Sequence, residues 1–295
     1  MDLTLSQGLF ALQSLSLTEI QSILRRAQEF CDGVPMPDYS SKLACNLFFE
    51  PSTRTSYSFQ VAQNRLKMRS LIFSSEHSSL QKGESFYDTI KVFDCFNPDL
   101  LIVRHGKEKF YEEFAGSIDT PVINAGDGAG SHPTQSLIDL ITIKQEFGYL
   151  AGLNVAIVGD VLHSRVANTN IEIMQRFGMK VFMSGPPEFL KRGMSFFPLL
   201  ELIEFCDVIV MLRVQNERHD SKFSLKDYNF KYGLNSKMLS LMKPGAIIMH
   251  PGPVNRGIEL TEDLVECSRS RIFNQVKNGI CVRASVMEAI FKSLI

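Results

Sequence analysis

Short apolar runs of strand length alternate with helix-like segments along this chain, and the alternation restricts the folds it can adopt. Strands that alternate with helices favour parallel sheets covered by helices on both faces. The length of 295 residues is about twice the roughly 150 residues of a typical domain. We therefore predict an α/β fold of two doubly wound domains, each a parallel sheet covered by helices, joined by long interdomain helices. The predicted strands lie at residues 43–49, 71–73, 100–103, 122–123, 155–158, 181–183, 208–212 and 246–249.

Helix signals separate most of these runs. Ser16 and Glu19 form a capping-box pattern, which predicts a helix that extends to about Phe30. Further helices are predicted over 53–66 and over 132–149, and a domain boundary is expected near residues 132–150.

Two stretches near the C-terminal end depart from the alternation. The stretch 216–233 is polar and charged, which predicts an exposed loop. The stretch 269–295 predicts a terminal helix with a break near Asn278 and Gly279.

Composition excludes several classes of function. The chain has 31 Lys and Arg against 32 Asp and Glu, so its formal net charge of -1 argues against a nucleic-acid partner. No apolar run approaches the ~20 residues of a membrane helix, and the N-terminal segment lacks the features of a signal peptide. The six cysteines are scattered without a C-x-x-C pattern, which favours reduced thiols in a cytoplasmic protein.

The first predicted strand runs into Ser52, Thr53, Arg54 and Thr55, where a helix begins. Free backbone N–H groups and the positive end of the helix dipole gather at such a point. Three hydroxyls and a guanidinium add to them, so the cluster predicts a site for phosphate or a similar oxyanion. The alternative is that Ser52 merely caps the helix. The pattern G-x-x-x-x-G-K-[ST] is absent, so this is not a P-loop.

Two further strand ends carry polar groups that suit the same anion. Arg104 directly follows the strand at 100–103, although a solvated arginine is the alternative there. His132 and Gln135 lie at the start of a helix, behind the glycine-rich loop 126–130. A histidine can donate to a developing oxyanion and a glutamine can bind an amide, but His132 could also be purely structural.

Two arginines mark strand ends in the second half. Arg165 lies in the first turn of a predicted helix, and Arg213 follows the strand at 208–212. Alternation places Arg213 and Gln215 on one face. Two arginines from two strand ends can clamp a small dicarboxylate, and this interpretation is preferred over two solvated side chains.

Two loops complete the set of candidates. The stiff turn His250-Pro251-Gly252-Pro253 presents backbone carbonyl groups in a defined place. The polar loop with Ser78, Ser79 and Lys82 precedes a helix, and Lys82 alone would usually be solvated surface. The histidines show no metal-ligand spacing and no nucleophile elbow occurs, so neither a metal nor a covalent nucleophile is expected.

Taken together, these motifs resemble the catalytic chains of aspartate carbamoyltransferases, over nearly the whole chain. The pair S-T-R-T and H-P-T-Q is typical of carbamoyltransferases in general, whereas H-S-R-V-A and R-V-Q-x-E-R resemble the aspartate enzyme specifically. Where the ornithine enzyme carries H-C-L-P, this chain has H-P-G-P. The motifs, in chain order, are FFEPSTRTSYSF, SSLQKGES, IVRHG, HPTQ, GDVLHSRVA, RVQNER and HPGPVNRG.

The resemblance implies an activity. The enzyme would join carbamoyl phosphate to L-aspartate, giving N-carbamoyl-L-aspartate and phosphate in de novo pyrimidine biosynthesis, by direct amine attack without a covalent intermediate or a cofactor. It implies a carbamoyl-phosphate-binding domain over 1–133 and 278–295 and an aspartate-binding domain over 134–277. It further implies a homotrimer with shared active sites, open to higher assemblies with regulatory or pathway partners.

The resemblance also assigns roles to matching residues. Arg54, Thr55, Arg104 and His132 would be catalytic, and Arg165, Arg213 and Gln215 would bind aspartate. Ser78 or Ser79, with Lys82, would reach into a neighbouring subunit's site. The carbamoyl phosphate site would comprise Ser52, Thr53, Arg54, Thr55, Arg104, His132, Gln135, Gly252 and Pro253.

One departure and two rival functions accompany this assignment. Many family members carry a charged pair where this chain has Ser56 and Gln60, and losing a helical i,i+4 ion pair as a unit should cost only a few tenths of a kcal/mol. The rivals are a carbamoyltransferase for another amine such as ornithine, and a non-catalytic partner subunit of the same fold.

Overall fold

The computed structural model describes residues 5–189, 196–214 and 225–293, and only the backbone of 225–227. The chain divides into two compact units. Unit 1 comprises Met1–Ile141 and Val276–Ile295, and unit 2 comprises Thr142–Gln275. Both divisions fall inside helices, α4 and α9, and the predicted limits at 133/134 and 277/278 fall inside the same two helices. Which substrate each unit binds stays a prediction at this point.

Unit 1 is built on a parallel sheet. Its strand order in the described residues is β1-β5-β4-β2-β3, and every pairing is parallel. The strands are β1 (Gly8–Leu9), β2 (Leu43–Phe48), β3 (Arg69–Ser74), β4 (Leu100–His105) and β5 (Val122–Asp127). The helices are α1 (Leu17–Cys31), α2 (Thr53–Arg65), α3 (Phe86–Asp94), and the parts of α4 (Pro133–Phe147) and α9 (Ile272–Ser293) that belong to this unit.

An aromatic cluster fills one face of this sheet. Phe110 and Phe114 are fully or almost fully buried beside the apolar side chains of β2 and β4. The ring of Phe86, at the start of α3, lies 4.4 Å from the ring of His105 at the end of β4. This packing fixes the carboxyl ends of β2 and β4, from which the predicted anion-binding residues extend.

Unit 2 repeats the plan with a smaller parallel sheet. Its order in the described residues is β7-β6-β8-β9, and its core combines apolar side chains of β6, β8 and β9 with those of α6. The strands are β6 (Asn154–Val158), β7 (Lys180–Ser184), β8 (Val208–Met211) and β9 (Ile247–Met249). The helices within the unit are α5 (Arg165–Arg176), α6 (Leu199–Phe205), α7 (Leu225–Tyr232) and α8 (Ser236–Leu239).

These observations confirm the predicted fold class, since both sheets are parallel and each has helices packed against it. Each predicted apolar run overlaps a strand, and the capping box is present, with Glu19 N–H donating to Ser16 Oγ at 3.2 Å. No pattern in the sequence predicted β1, which is two residues long. None of the described helices combines the length and the apolar composition that a membrane crossing requires.

The predicted break near Asn278 and Gly279 is wrong, because α9 runs without interruption from Ile272 to Ser293. Glycine lowers helix propensity by about 1 kcal/mol relative to alanine, but packing explains its presence here. A Cβ on Gly279 would lie 2.6 Å from the Nη1 atom of Arg283, one turn further along α9. The glycine therefore makes room for a guanidinium group.

The predicted exposed loop at 216–233 is also wrong in its second half. Residues 225–232 form α7, and Tyr228 on this helix is completely buried with its ring 5.7 Å from that of Tyr232. Burial of Tyr228, together with the packing of Tyr232 against the same apolar cluster, thus holds α7 in place. Residues 216–224 lie outside the part of the chain that the structure describes.

Candidate active site

The start of α2 has the features of an anion-binding site. Ser52 is the N-cap residue, with φ -159° and ψ 83°, and its side chain makes no capping hydrogen bond. The first N–H groups of any helix lack an intrahelical acceptor, and the helix dipole adds positive potential there. The alternative role of Ser52 as a simple cap therefore finds no support in the geometry.

Arg54 and Thr55 extend this cluster. The guanidinium of Arg54 has neither a hydrogen bond nor an ion pair with any described residue. Partial burial lowers its pKa, although an arginine remains charged at neutral pH. Thr55, in the same first turn, is buried. An exposed, unpaired arginine at a helix start is well placed to bind an anion.

Arg104 lies next to this cluster because β2 and β4 are neighbours in the sheet. Phe48 at the end of β2 is paired in register with Arg104, and Phe49 N–H donates to the Arg104 carbonyl at 2.9 Å. Among the groups that orient its guanidinium are the Ala125 carbonyl, which accepts from Nη1 at 3.3 Å, and Glu50, whose Oε2 lies 3.5 Å from Nε. Arg104 is therefore held at the same sheet edge as the start of α2.

His132 occupies the position before α4, which is held by the preceding loop. Its carbonyl accepts hydrogen bonds from Gln135 N–H at 3.1 Å and Ser136 N–H at 3.3 Å. The loop is organised by the buried carboxylate of Asp127, which accepts from the Ser131 N–H and, at 2.9 Å, from the Lys109 N–H. The side chain of His132 is buried.

Gln135 is oriented by a second buried carboxylate. Its Nε2 donates to Asp139 Oδ1 at 2.8 Å, one turn further along α4. Because the amide nitrogen of Gln135 is engaged in this bond, Oε1 is presented as a hydrogen-bond acceptor.

The predicted loop with Ser78, Ser79 and Lys82 includes a short 3-10 turn, Ser79–Lys82, that ends at Gly83. Ser78 Oγ donates to the Ser75 carbonyl at 2.9 Å, so its hydroxyl is engaged within its own loop. The side chains of Ser79 and Lys82 are exposed and make no hydrogen bond or ion pair with the described residues.

Ser56 and Gln60, which replace the charged pair of many carbamoyltransferases, are hydrogen-bonded to each other. Gln60 Nε2 donates to Ser56 Oγ at 3.0 Å. A neutral i,i+4 hydrogen bond thus stands where many family members carry a charged pair, and neither residue leaves a charge without a partner.

In unit 2, Arg165 opens α5 behind a tight turn. Ser164 is the N-cap residue, and its hydroxyl accepts from Ala167 N–H at 3.2 Å. Asp160, completely buried at the end of β6, is 2.8 Å from His163 Nδ1 and accepts from His163 N–H at 3.2 Å. These bonds fix the segment that carries Arg165.

Arg213 follows β8, which is the direct neighbour of β6. Val158 and Met211, the last residues of these two strands, are paired in register. Arg165 and Arg213 therefore extend from the carboxyl ends of adjacent strands, as predicted from their positions in the sequence. Gln215 lies outside the described residues, so its predicted place on the same face as Arg213 is untested.

The turn that contains Gly252 and Pro253 follows β9. His250 Nδ1 accepts from Gly252 N–H at 2.8 Å, and His250 N–H donates to Gln275 Oε1 at 3.0 Å. The peptide bond between Gly252 and Pro253 is cis. The turn is therefore held at both sides by hydrogen bonds of His250.

Sequence reasoning missed the carboxylates that orient these groups. Asp127, Asp139 and Glu259 are all completely buried and accept hydrogen bonds from the segments that carry predicted site residues. Only Asp139 had a local signal, since it lies four residues after Gln135 in a predicted helix. Among the described residues, no three His, Cys, Asp or Glu side chains form a group suited to hold a metal ion.

Two family descriptions match the chain, one after the other along the sequence. Residues 7–145 match the carbamoyl-P binding domain of aspartate/ornithine carbamoyltransferase, and residues 151–290 match its Asp/Orn binding domain. The chain belongs to the aspartate/ornithine carbamoyltransferase family.

Over almost its whole length, the chain is also similar to solved structures of aspartate transcarbamoylases. The catalytic subunit of aspartate transcarbamoylase from M. jannaschii is 28% identical, with a TM-score of 0.86 over 97% of this chain and 98% of that one. Aspartate transcarbamoylase from Trypanosoma cruzi, in complex with carbamoyl aspartate and phosphate, is 28% identical, with a TM-score of 0.84 over 96% of this chain and 94% of that one. Its complex with N-(phosphonacetyl)-L-aspartic acid gives 27% identity and a TM-score of 0.85, over 96% and 94% of the two chains.

Proposed function

We propose that this protein is an aspartate carbamoyltransferase, which converts carbamoyl phosphate and L-aspartate to N-carbamoyl-L-aspartate and phosphate in de novo pyrimidine biosynthesis. The observation that carries the proposal is the cluster of polar groups at the start of α2. Arg54, which has no partner among the described residues, lies there with the hydroxyls of residues 52, 53 and 55. The oriented guanidinium of Arg104 lies at the same sheet edge. The similar T. cruzi enzyme has been solved with carbamoyl phosphate and with aspartate.

The carbamoyl phosphate site would form around this cluster. Ser52, Thr53, Arg54 and Thr55 would bind the phosphate group through hydroxyls, helix N–H groups and the guanidinium fork. Thr55, Arg104 and His132 would donate hydrogen bonds to the carbonyl oxygen. Such donors stabilise the negative charge that develops on this oxygen during attack, so they lower the reaction barrier.

The carbamoyl amide needs acceptors rather than donors. Gln135 presents its Oε1 because Asp139 holds its Nε2 at 2.8 Å. The backbone carbonyls around Gly252 and Pro253 would supply further acceptors. A neutral –NH2 group is thereby distinguished from a second anionic oxygen.

Aspartate would be bound by residues of unit 2. Arg165 and Arg213, from adjacent strand ends, would each pair with one carboxylate, and Gln215 would add a hydrogen bond. Two cationic side chains favour a dicarboxylate over the cationic side chain of ornithine, which is why we propose aspartate as the second substrate.

The reaction then requires no covalent enzyme intermediate. The aspartate amine attacks the carbonyl carbon, the new C–N bond forms, and the C–O bond to phosphate breaks. The departing phosphate carries away the electron pair, and one of its own oxygens accepts the amine proton. Holding both substrates in line supplies much of the rate enhancement.

We further propose a cytoplasmic homotrimer with shared active sites. Ser79 and Lys82, exposed and without partners among the described residues, would reach a neighbour's site, and the engaged hydroxyl of Ser78 makes Ser79 the better candidate. Apolar side chains on α2 and on the sheet-edge strand β3 would lie in the interface, among them Tyr57 at 62% and Ile72 at 61% exposure. No described cysteine is in a disulfide, which accords with a reducing compartment.

A phosphate-release assay with carbamoyl phosphate tests the proposal, with L-aspartate and L-ornithine compared as second substrates. We expect turnover that depends on aspartate. Turnover with ornithine alone would retain the anion site but overturn the roles of Arg165 and Arg213. No turnover with either amine, from folded protein, would contradict the proposed reaction.

A further inference from the structure

Arg283, on α9, is a buried cation that the roles above do not use. Its side chain belongs to unit 1, and the residue is only 4% exposed. Nη1 donates to Ser58 Oγ at 2.8 Å and to the Gly279 carbonyl at 3.2 Å, and the guanidinium lies 5.0 Å from the centre of the Phe59 ring. Its buried Nε has no hydrogen-bond partner, and no carboxylate of the described residues pairs with it.

Such an arrangement is unfavourable for stability alone. Burying a charge without an ion pair carries a large desolvation cost, and a hydrophobic residue of similar size is often neutral or stabilising in its place. The buried guanidinium also needs the glycine at position 279, since a Cβ there would lie 2.6 Å from Nη1. Burial of this guanidinium therefore depends on the residues at two positions, Arg283 and Gly279.

The location of Arg283 connects it with the anion-binding cluster. Ser58 lies three residues after Thr55, and residues three apart are neighbours on a helix surface. Burial, and in second place the charge of Arg104, lower the pKa of Arg283 to about 9, so the group is still charged at neutral pH. Two arginines thus repel each other beside the positive end of α2, and a bound phosphate dianion would relieve this repulsion.

We propose that Arg283 is an electrostatic positioning residue of the carbamoyl phosphate site: its charge beside the second turn of α2 strengthens the binding of the phosphate group without contact with it. The inference rests on the proposed function. It explains why a cation is kept in the interior of unit 1 with only a hydroxyl and a carbonyl as hydrogen-bond acceptors.

The test compares Arg283→Met, Arg283→Gln and Arg283→Lys with the wild type. Arg65→Met serves as a matched control, because Arg65 is an exposed arginine in the last turn of α2. The measurements are the Kd of inorganic phosphate by calorimetry, the KM of each substrate, and the Tm of each variant.

We expect both uncharged variants to bind phosphate at least tenfold more weakly and to raise the KM of carbamoyl phosphate by a similar factor. The KM of aspartate at saturating carbamoyl phosphate should stay within twofold. The Tm of Arg283→Met should equal or exceed that of the wild type, and Arg283→Lys should recover phosphate binding to within threefold. Arg65→Met should match the wild type throughout.

Two results would overturn the inference. One is wild-type phosphate affinity in Arg283→Met. The other is a fall in Tm that weakens both substrates alike and is not corrected by lysine, since that pattern describes a purely structural residue. Phosphate binding is measured without turnover. An inactive protein whose phosphate affinity still depends on the charge of Arg283 would therefore contradict the proposed reaction and leave this inference intact.

Discussion

The carboxylate of Glu259 accepts a hydrogen bond at 2.9 Å from the backbone N–H of Val214, the residue that follows Arg213. The same carboxylate accepts from the backbone N–H of Asn255 at 2.9 Å and from its Nδ2 at 2.8 Å. Glu259 is completely buried, and burial raises its pKa. One carboxylate therefore joins the segment that carries Arg213 to the loop that follows Gly252 and Pro253.

We predict that Glu259→Gln raises the KM for aspartate about tenfold, which corresponds to ~1.4 kcal/mol. Each carboxylate oxygen accepts at least one N–H, so the amide nitrogen of glutamine must face a donor in either orientation. The free energy of unfolding should fall by about 1–3 kcal/mol. Steady-state kinetics and urea denaturation measure both effects, and Glu262→Gln, on an exposed side chain, is the control. An unchanged KM for aspartate would show that the bond does not position Arg213.

Arg54→Ala should remove at least ~3 kcal/mol of transition-state stabilisation, by analogy with the loss of one oxyanion-site donor. Because Arg54 is exposed and has no partner among the described residues, the free energy of unfolding should change by less than about 0.5 kcal/mol. The value of kcat/KM for carbamoyl phosphate measures the effect. The control is Arg25→Ala, which changes an exposed arginine of α1. A near-normal kcat/KM in Arg54→Ala would contradict the proposed role of Arg54.

Arg213→Ala should raise the KM for aspartate more than the KM for carbamoyl phosphate. The reason is that Arg213 belongs to unit 2, whereas the anion-binding start of α2 belongs to unit 1. Initial rates with each substrate varied in turn measure the two constants. Arg176→Ala, which removes the ion pair with Glu172 at 3.6 Å on α5, controls for loss of charge in unit 2. Equal increases in both constants would contradict separate substrate sites.

His105 predicts a pH dependence of stability. Burial among the aromatic rings lowers the pKa of His105, although Glu113 and Glu50 act in the opposite direction. The unfolded chain, with a histidine pKa near ~6.5, therefore binds more protons than the folded protein. The stabilising contribution is fully present above that value and is lost as the pH falls towards the lowered pKa.

Chemical denaturation between about pH 5 and 7 checks this expectation. The free energy of unfolding should rise less steeply with pH in His105→Gln than in the wild type. If the free energy of unfolding changes with pH in the same way in both proteins, His105 has the same proton affinity in the folded and the unfolded state, which contradicts the prediction. The titration of its ring by NMR should have a midpoint below that of a free histidine.

The capping box of α1 gives a prediction for stability alone. Ser16→Ala removes the hydroxyl that accepts from Glu19 N–H at 3.2 Å, and should lower the free energy of unfolding by ~1 kcal/mol. Ser22→Ala, on the exposed face of the same helix, should be neutral or slightly stabilising because alanine has the highest helix propensity. Thermal denaturation separates the two outcomes, and equal effects would show that the cap contributes nothing.

Local patterns in the sequence predict most of the secondary structure and the strand-end positions of the site. The capping box at Ser16 and the apolar runs act over a few residues, so they can be found without the fold. The helix α7 could not be predicted in this way, because Tyr228 is buried by residues distant in sequence. The two-residue strand β1 depends similarly on tertiary pairing, in which Gly8 lies so close to Val122 that a Cβ would be 1.9 Å from its carbonyl oxygen.

The same distinction applies to the site. Arg54, Arg104 and Arg213 follow apolar runs directly, and the rule that ligands bind at the carboxyl ends of parallel strands selects them. Glu259 has no such signal, since its partner Val214 is 45 residues away along the chain. The groups expected to touch substrate were therefore visible in the sequence, whereas most of those that hold them in place were not.

Helix α9 also determines when each unit is finished during protein synthesis. Its residues from Val276 onward belong to unit 1, where Ser285 Oγ donates to the Ile23 carbonyl at 2.8 Å and Glu288 pairs with Arg26 at 2.7 Å. The ribosome makes the chain from its N-terminus, so every residue of unit 2 is translated before these partners of α1 exist. The second unit along the chain is thus the first whose sequence is complete, and α1 is translated well before the segment of α9 against which it packs.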